Sequence, residues 1–185
     1  MVLPCGSMTS SEQPQHGHVW SIVVGAGSGA RFGGMKQYET LGDTRVIDRS
    51  VSTARAVSDG VVVVVPEGDV EREGGIAGGA SRSESVRNGL AQVPADADIV
   101  CVHDAARPFA STDLFEQVIA AVRNGADAAI PAVPVTDTIK IVASDGSGTV
   151  ESTPDRSTLV AVQPPQAFAA VALRRAHELD DGTST

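Results

Sequence analysis

The stretch "IVVGAGSGARFGGMKQYETLG", residues 22–42, decides the fold, because an apolar strand runs directly into a glycine-rich turn. Glycines let backbone N–H groups approach phosphate oxygens without a Cβ in the way. Two kinds of site share this pattern. The letters "GAGSGA" match the G-x-G-x-x-A fingerprint of a dinucleotide-binding fold. The cations Arg31 and Lys36 instead favour a site for a triphosphate.

The surrounding sequence argues against the dinucleotide interpretation. That fold places an acidic residue at the end of the second strand, roughly 20 residues past the turn, to hold the ribose hydroxyls. Asp43 and Asp48 lie near that distance, but neither follows an apolar strand. The second strand closes at Pro66 and Glu67, about twice too far along the chain. The fingerprint alone is a weak signal, and the surrounding residues argue against a dinucleotide-binding site.

The triphosphate interpretation rests on glycines followed by permanent charge. Gly25, Gly27 and Gly29 open the backbone to phosphate oxygens, and Arg31 and Lys36 follow within a few residues. The alternative is that both cations are solvated loop residues.

A second polar cluster favours a binding site. The stretch "VCVHDAARP" places His103, Asp104 and Arg107 just after an apolar strand. Ligands of open α/β sheets bind at the carboxyl ends of the strands. The alternatives are a capped loop histidine for His103, which we favour slightly, and a turn residue for Asp104. A His-Asp pair also occurs in metal phosphohydrolases, but those proteins are helical, so we set that interpretation aside.

Composition narrows the class of protein. The chain has 185 residues, enough for one domain with a core, and 42% apolar against 3% aromatic residues predicts a core of small aliphatic side chains. A net charge of −9 argues against a nucleic-acid partner.

Cys5 and Cys101 lie far apart and lack metal-ligand spacing, which favours the cytoplasm. No run is long enough for a membrane span. Residues 1–17 lack the features of a signal peptide, and we interpret them as a disordered lead to one domain at 18–185.

Strands and helices alternate along that domain. Apolar runs predict strands at 19–26, 60–68, 98–109 and 127–135, and helical spacing predicts helices at 45–57, 83–93, 111–126 and 168–181. Ser83 is the expected cap of the second helix. This order predicts a parallel sheet with helices on both faces. Residues 136–153 differ, because two alternating segments flank the turn "SDGSG" and predict a hairpin. A lone hairpin is barely stable, so we expect it to lean on its own sheet or on a partner chain.

Six motifs, in order, carry a family resemblance: "GAGSGARFGGMKQY", "GGASRSESVRNGL", "VHDAARP", "PVTDTIK", "TPDR" and "QPPQAF". Together they resemble the 2-C-methyl-D-erythritol 4-phosphate cytidylyltransferases over residues 19–179. The resemblance implies a mostly parallel, doubly wound (Rossmann-like) α/β sheet of the nucleotidyltransferase type with a protruding β-hairpin arm. It also implies transfer of cytidylate from CTP to methylerythritol phosphate with release of pyrophosphate.

The resemblance implies roles for individual residues. Arg31 and Lys36 are the cations on the CTP phosphates, and Gly27 and Gly29 cradle those phosphates. Asp104 holds Mg²⁺. The residues that contact cytosine and ribose are Gly79, Ala80 and Ser85. Two residues lie near the acceptor, Asp104 and Arg107. The acceptor phosphate is bound by Thr138, Lys140 and Arg156. The last three belong to an arm at 134–160 that reaches the partner subunit's site, so the resemblance implies a domain-swapped homodimer.

Several positions depart from the family pattern. Val24, Gly25 and Met35 replace residues usual in the glycine loop, Ala80 replaces a common acidic residue, and Pro164 replaces a threonine near the acceptor. The chain ends at "LDDGTST", where the family continues with a further carboxylate and a late lysine. Asp180 and Asp181 match that carboxylate poorly. From this ending we expect a truncated form that folds poorly or turns over far below the family's level. The alternatives are another sugar-phosphate or cofactor nucleotidyltransferase, and a catalytically inactive nucleotide-binding protein.

Overall fold

The computed structural model of the protein describes residues 17–27 and 33–179. Apart from Gly17, the predicted N-terminal lead lies outside the described residues. The described residues form twelve strands: β1 (Val19–Val24), β2 (Thr40–Leu41), β3 (Thr44–Arg45), β4 (Gly60–Val65), β5 (Ile76–Ala77), β6 (Ile99–Asp104), β7 (Ala128–Ala129), β8 (Ala132–Pro134), β9 (Ile141–Val142), β10 (Val150–Ser152), β11 (Val160–Val162) and β12 (Gln166–Ala169). They also form five α-helices: α1 (Val46–Val57), α2 (Val70–Glu73), α3 (Arg82–Leu90), α4 (Thr112–Arg123) and α5 (Ala170–Leu179).

Six strands form the main sheet, in the order β5-β4-β1-β6-β12-β7. β1 lies inside the sheet and pairs in parallel with β4 and β6. β12 runs antiparallel to both of its neighbours, β6 and β7. The prediction of a mostly parallel α/β sheet is therefore confirmed, with one inserted antiparallel strand that the sequence analysis did not anticipate.

Helices cover both faces of this sheet. Side chains alternate along β1, so that Ile22 and Val23 enter different clusters of the core. Val23 packs with residues of α1 and α4, including the fully buried Phe115. Ile22 packs with residues of α3 and α5, including Leu173. The architecture is thus doubly wound. Within the described residues, no helix is long and apolar enough to cross a membrane.

The predicted cap of α3 is wrong by two residues. Ser81, not Ser83, is the N-cap, because its hydroxyl accepts a 3.0 Å hydrogen bond from the backbone N–H of Glu84. Ser81 and Glu84 have the spacing of a capping box, in which a serine precedes a glutamate by three positions. That spacing was available in the sequence and identifies the correct serine.

Two predicted elements divide differently in the structure. The strand expected at 127–135 is two short strands, β7 in the main sheet and β8 paired with β11. Pro131 lies between them and has no N–H to donate to a ladder. The helix expected from Phe168 begins at Ala170, because Phe168 and Ala169 complete β12.

The predicted hairpin is confirmed. β9 and β10 pair antiparallel on either side of the turn "SDGSG", where Gly146 and Gly148 have φ angles of 78° and 72°. Glycine adopts such angles without steric cost. The hairpin forms a two-stranded sheet of its own and does not join the main sheet.

Candidate active site

A cleft of about 600 Å³ lies at the carboxyl ends of the parallel strands. Val24 ends β1 and Asp104 ends β6, and the two residues are register partners. The cleft therefore occupies the edge where ligands of open α/β sheets bind. It is lined by Val24, Gly25, Ala26, Gly27, Lys36, Gln37, Gly79, Ala80, Ser81, Arg82, Ser85, Asp104 and Ala106.

The first wall of the cleft is the glycine turn. The N–H of Gly25 donates to Val64 at 2.7 Å, and a Cβ at Gly25 would lie 3.0 Å from the Cβ of Ala105. A larger residue there would push the turn away from the sheet. A Cβ at Gly27 would meet nothing within 4 Å, so this residue faces open space. Gly29 and Arg31, both predicted phosphate contacts, lie outside the described residues.

The second wall carries Lys36, which begins a single 3₁₀ turn, Lys36–Tyr38. The next residue, Gln37, is 5% exposed, and its side-chain amide donates to the carbonyl of Gly25 at 2.8 Å. The same amide lies 3.4 Å from the carbonyl of Gly27. The lysine turn is therefore attached directly to the glycine turn. Lys36 was predicted as a site residue from the sequence, whereas Gln37 was not.

The third wall is the loop that leads into α3. The hydroxyl of Ser85 accepts from the N–H of Gly79 at 3.0 Å and donates to the carbonyl of Ser81 at 2.9 Å. The carboxylate of Glu84 accepts from the N–H of Ala80 at 2.7 Å. Ser85 is buried and shapes this loop through both hydrogen bonds. The predicted residues Gly79, Ala80 and Ser85 therefore lie together, in a loop fixed by α3.

Asp104 is the only carboxylate among the described residues that line the cleft. Its Oδ1 accepts a 3.0 Å hydrogen bond from the guanidinium of Arg82, at the start of α3. Arg82 was not predicted as a site residue. A cation beside the loop that carries Gly79 and Ala80 was a signal that could have identified it.

His103, next to Asp104, faces the core. It is fully buried, and its ring lies 5.1 Å from that of Phe115. A carbonyl only accepts, so Nε2 of His103 carries the proton that it donates to the carbonyl of Arg107 at 3.1 Å. Burial lowers the pKa of His103 below its usual range. The structure therefore agrees with a structural histidine that holds the turn following β6.

A second cavity, of about 510 Å³, adjoins the cleft and shares Lys36 and Ala106 with it. Arg107 lines this cavity and donates to the side-chain oxygen of Gln163 at 3.1 Å. Pro164 lies beside them and precedes a cis peptide bond to Pro165. The cavity thus places a second cation next to Lys36, on walls that are otherwise mainly apolar.

The three predicted arm residues lie elsewhere. Thr138, Lys140 and Arg156 are exposed, and none lines the cleft or the adjoining cavity. Lys140 donates to the hydroxyl of Thr153 at 2.7 Å, and Arg156 donates to the carbonyl of Thr136 at 3.2 Å. One chain therefore brings together Gly27, Lys36, the α3 loop, Asp104 and Arg107, but not the arm.

The residues at this sheet edge are typical of one class of protein, and comparisons with known proteins give the family. An open α/β fold with a glycine turn, a lysine and a carboxylate at one sheet edge defines a protein that binds a phosphorylated nucleotide. Residues 19–184 match the family described as IspD: 2-C-methyl-D-erythritol 4-phosphate cytidylyltransferase. The chain belongs to this family.

Relatives support the same assignment. A 2-C-methyl-D-erythritol 4-phosphate cytidylyltransferase from Rhodococcus jostii (strain RHA1) is 45% identical over 181 residues, covering 91% of this chain and 79% of the relative. The crystal structure of 4-diphosphocytidyl-2C-methyl-D-erythritol synthase from Anaerococcus prevotii DSM 20548 matches with a TM-score of 0.74 at 28% identity, over 91% of this chain and 78% of the other. The cytidylyltransferase from Thermus thermophilus matches with a TM-score of 0.66 at 30% identity, over 85% of this chain and 73% of the other.

Proposed function

We propose that this protein transfers the cytidylyl group of CTP to 2-C-methyl-D-erythritol 4-phosphate and releases pyrophosphate. Membership of the cytidylyltransferase family gives the reaction and both substrates. The observation that carries the assignment to this site is the shared position of Lys36, which lines both the cleft and the adjoining cavity. One cation thus faces two neighbouring spaces, one for each phosphate-bearing substrate.

CTP fits the cleft and the acceptor fits the adjoining cavity. The glycine turn and Lys36 take the triphosphate, and the loop of Gly79, Ala80 and Ser85 takes the cytidine. Arg107, held by Gln163, lies in the adjoining cavity and takes part of the acceptor. Two polyanions bound side by side repel each other, so cations placed between them supply much of the catalysis.

The acceptor needs no general base. A phosphate monoester has a second pKa near 6, so at neutral pH it is mostly a dianion and already a nucleophile. The described residues lining the cleft and the adjoining cavity include no histidine, and their only carboxylates are Asp104 in the cleft and Glu39 in the cavity. Positioning of the two phosphates, with Lys36 beside the transferring group, is the contribution of this chain.

Mg²⁺ is part of the proposal, with Asp104 as its protein ligand. The described residues contain no group of three or more histidine, cysteine, aspartate or glutamate side chains that could hold a metal by themselves. A single carboxylate in a phosphate-binding cleft still suits Mg²⁺, which commonly takes one or two carboxylates together with substrate phosphates and water. When bound, the ion neutralises charge on the triphosphate.

We also propose a homodimer formed through the arm, in the cytoplasm. The arm exposes apolar side chains that a monomer would leave in water: Ile139, Ile141, Val142, Val150 and Val160. Val133 and Val162, on the paired strands β8 and β11 at its base, are also exposed. Such a surface is typical of a protein interface. A partner subunit would also bring Arg156 to a site that its own chain does not complete.

A pyrophosphate-release assay tests the proposed function. The protein is incubated with each of the four common nucleoside triphosphates and with a panel of sugar and polyol phosphates. We expect release above background only with CTP and methylerythritol phosphate together. Equal release with another nucleotide or acceptor would assign a different nucleotidyltransferase. CTP binding without release from any pair would indicate an inactive nucleotide-binding protein.

A further inference from the structure

The 3₁₀ turn that carries Lys36 is attached on two sides by the two residues that follow the lysine. On the cleft side, the buried amide of Gln37 donates to the carbonyl of Gly25. On the other side, the hydroxyl of Tyr38 donates to the carboxylate of Asp69 at 2.7 Å. Asp69 lies in the segment that follows β4, so the lysine turn is joined to the ends of two neighbouring strands.

The attachment through Tyr38 is reinforced by charge. The guanidinium of Arg72 lies 4.5 Å from the centre of the Tyr38 ring, within the range of a cation–π interaction. Arg72 also pairs with Asp69 at 3.0 Å. Burial, together with Asp69, raises the pKa of Tyr38 to about 12, so the hydroxyl keeps the proton that it donates.

The attachment through Gln37 is specific to a side-chain amide. Its Nε2 contacts the carbonyls of both Gly25 and Gly27, which are the described members of the three glycines in the glycine turn. An apolar side chain of the same length would leave the Gly25 carbonyl without this buried partner, which is costly. The lysine and the glycine turn would then be free to move apart.

We propose that Gln37 and Tyr38 are positioning residues, which hold Lys36 and the glycine turn together as one phosphate-binding unit. The proposal rests on the function proposed above, in which Lys36 contacts the CTP phosphates. A lysine side chain is long and flexible, so its backbone must be fixed if its charge is to lie beside the transferring group. A misplacement of about 1 Å can cost 10²-fold in rate.

A double-mutant cycle tests this proposal. We expect Gln37→Met to lower kcat/KM for CTP by about 10- to 100-fold. In a Lys36→Ala background the same change should cost less than about threefold, because residues that act through each other are not additive. Tyr38→Phe keeps the ring, removes the hydrogen bond to Asp69 and should follow the same pattern with a smaller loss. Gln92→Met, at an exposed glutamine after α3, is the matched control and should leave kcat/KM unchanged.

The outcomes separate a positioning role from a purely structural one. The proposal would be overturned if the losses in kcat/KM multiplied in the double variants. It would also be overturned if Gln37→Met and Tyr38→Phe both kept the wild-type kcat/KM, or if Lys36→Ala kept it. If Gln37→Met does not fold, as judged by its thermal melt, the Tyr38→Phe cycle decides alone. If the wild-type protein itself does not turn over, the proposed function fails, and the cycle is measured on the dissociation constant for CTP. There, Gln37→Met should weaken binding only when Lys36 is present, and equal weakening in both backgrounds would overturn the proposal.

Discussion

Arg82 and Asp104, which lie on different elements, form an ion pair of 3.0 Å between two walls of the cleft. Arg82 begins α3 and Asp104 ends β6, so the pair joins the loop proposed for cytidine to the carboxylate proposed for Mg²⁺. Both side chains are partly exposed, at 46% and 33%. Exposed ion pairs contribute little to stability, about 0 to 1 kcal/mol. The main effect of the pair is therefore on the charge that the cleft presents to a bound nucleotide.

Asp104→Asn should lower kcat/KM by about 10²- to 10³-fold, the usual cost of losing one electrostatic stabilisation of the transition state, because the variant would hold Mg²⁺ less well. Its melting temperature should change little, because the side chain is partly exposed. Steady-state kinetics and thermal melts measure the two effects. Arg82→Gln is the control, since it also breaks the ion pair but keeps the carboxylate. Asp104→Asn with more than half of the wild-type activity would refute the metal role.

Lys36→Ala should reduce turnover by about 10²- to 10³-fold while leaving the fold intact. The side chain lies at the surface of two cavities and not in the core, so little packing is lost. The measurement is kcat for pyrophosphate release beside the melting temperature. A variant that retains half of the normal rate would show that Lys36 is not the catalytic cation.

Arg156→Ala should damage the site of the partner subunit and not that of its own chain. Mixing it with Lys36→Ala should then restore part of the activity, because one site of each mixed dimer keeps both residues. Size-exclusion chromatography tests the dimer, and a tagged subunit shows whether exchange occurs. Exchange without recovery of activity would exclude an arm that acts between subunits.

His103 should make stability depend on pH. Burial lowers its pKa below the ordinary 6.5, and its contacts with the Arg107 carbonyl and with Asp104 offset this only in part. The unfolded chain then binds a proton that the folded chain excludes. This contribution is complete above about pH 6.5 and is lost as the pH falls below that value. As the pH is lowered from about 7.5 to 5.5, the melting temperature of the wild type should fall more steeply than that of His103→Gln. Equal slopes would contradict a buried neutral histidine.

Much of the fold could be predicted because local patterns and tertiary structure agree. β1 (Val19–Val24) lies within the apolar run predicted as a strand at 19–26, and α1 (Val46–Val57) lies within the helix predicted at 45–57 from its apolar spacing. β12 could not be found in this way. It is four residues long and runs directly into α5, so its apolar residues have the same appearance as the first turn of the helix.

The candidate site, like the fold, could be predicted only in part from the sequence. Asp104 follows a predicted strand and Lys36 follows the glycine turn, so both could be identified from the residues themselves, whereas Gly79 was expected only from the family resemblance. Gln37 and Arg82 depend on distances that periodicity does not encode. Gln37 is buried because its amide has partners in a turn 10 and 12 residues earlier, and only the folded backbone shows that those carbonyls face it. The arm shows the limit of a single chain, since Arg156 gains a role only if a partner subunit is present.

³¹P NMR of the reaction identifies the product directly. The wild-type protein is incubated with CTP, methylerythritol phosphate and Mg²⁺, and the same mixture with Lys36→Ala is the control. We predict that a pair of coupled diphosphate signals appears together with free pyrophosphate, at equal rates, and that the variant forms both far more slowly. Consumption of CTP without the coupled pair would exclude cytidylyl transfer to the acceptor, and the same product at the same rate with Lys36→Ala would exclude Lys36 as the catalytic cation.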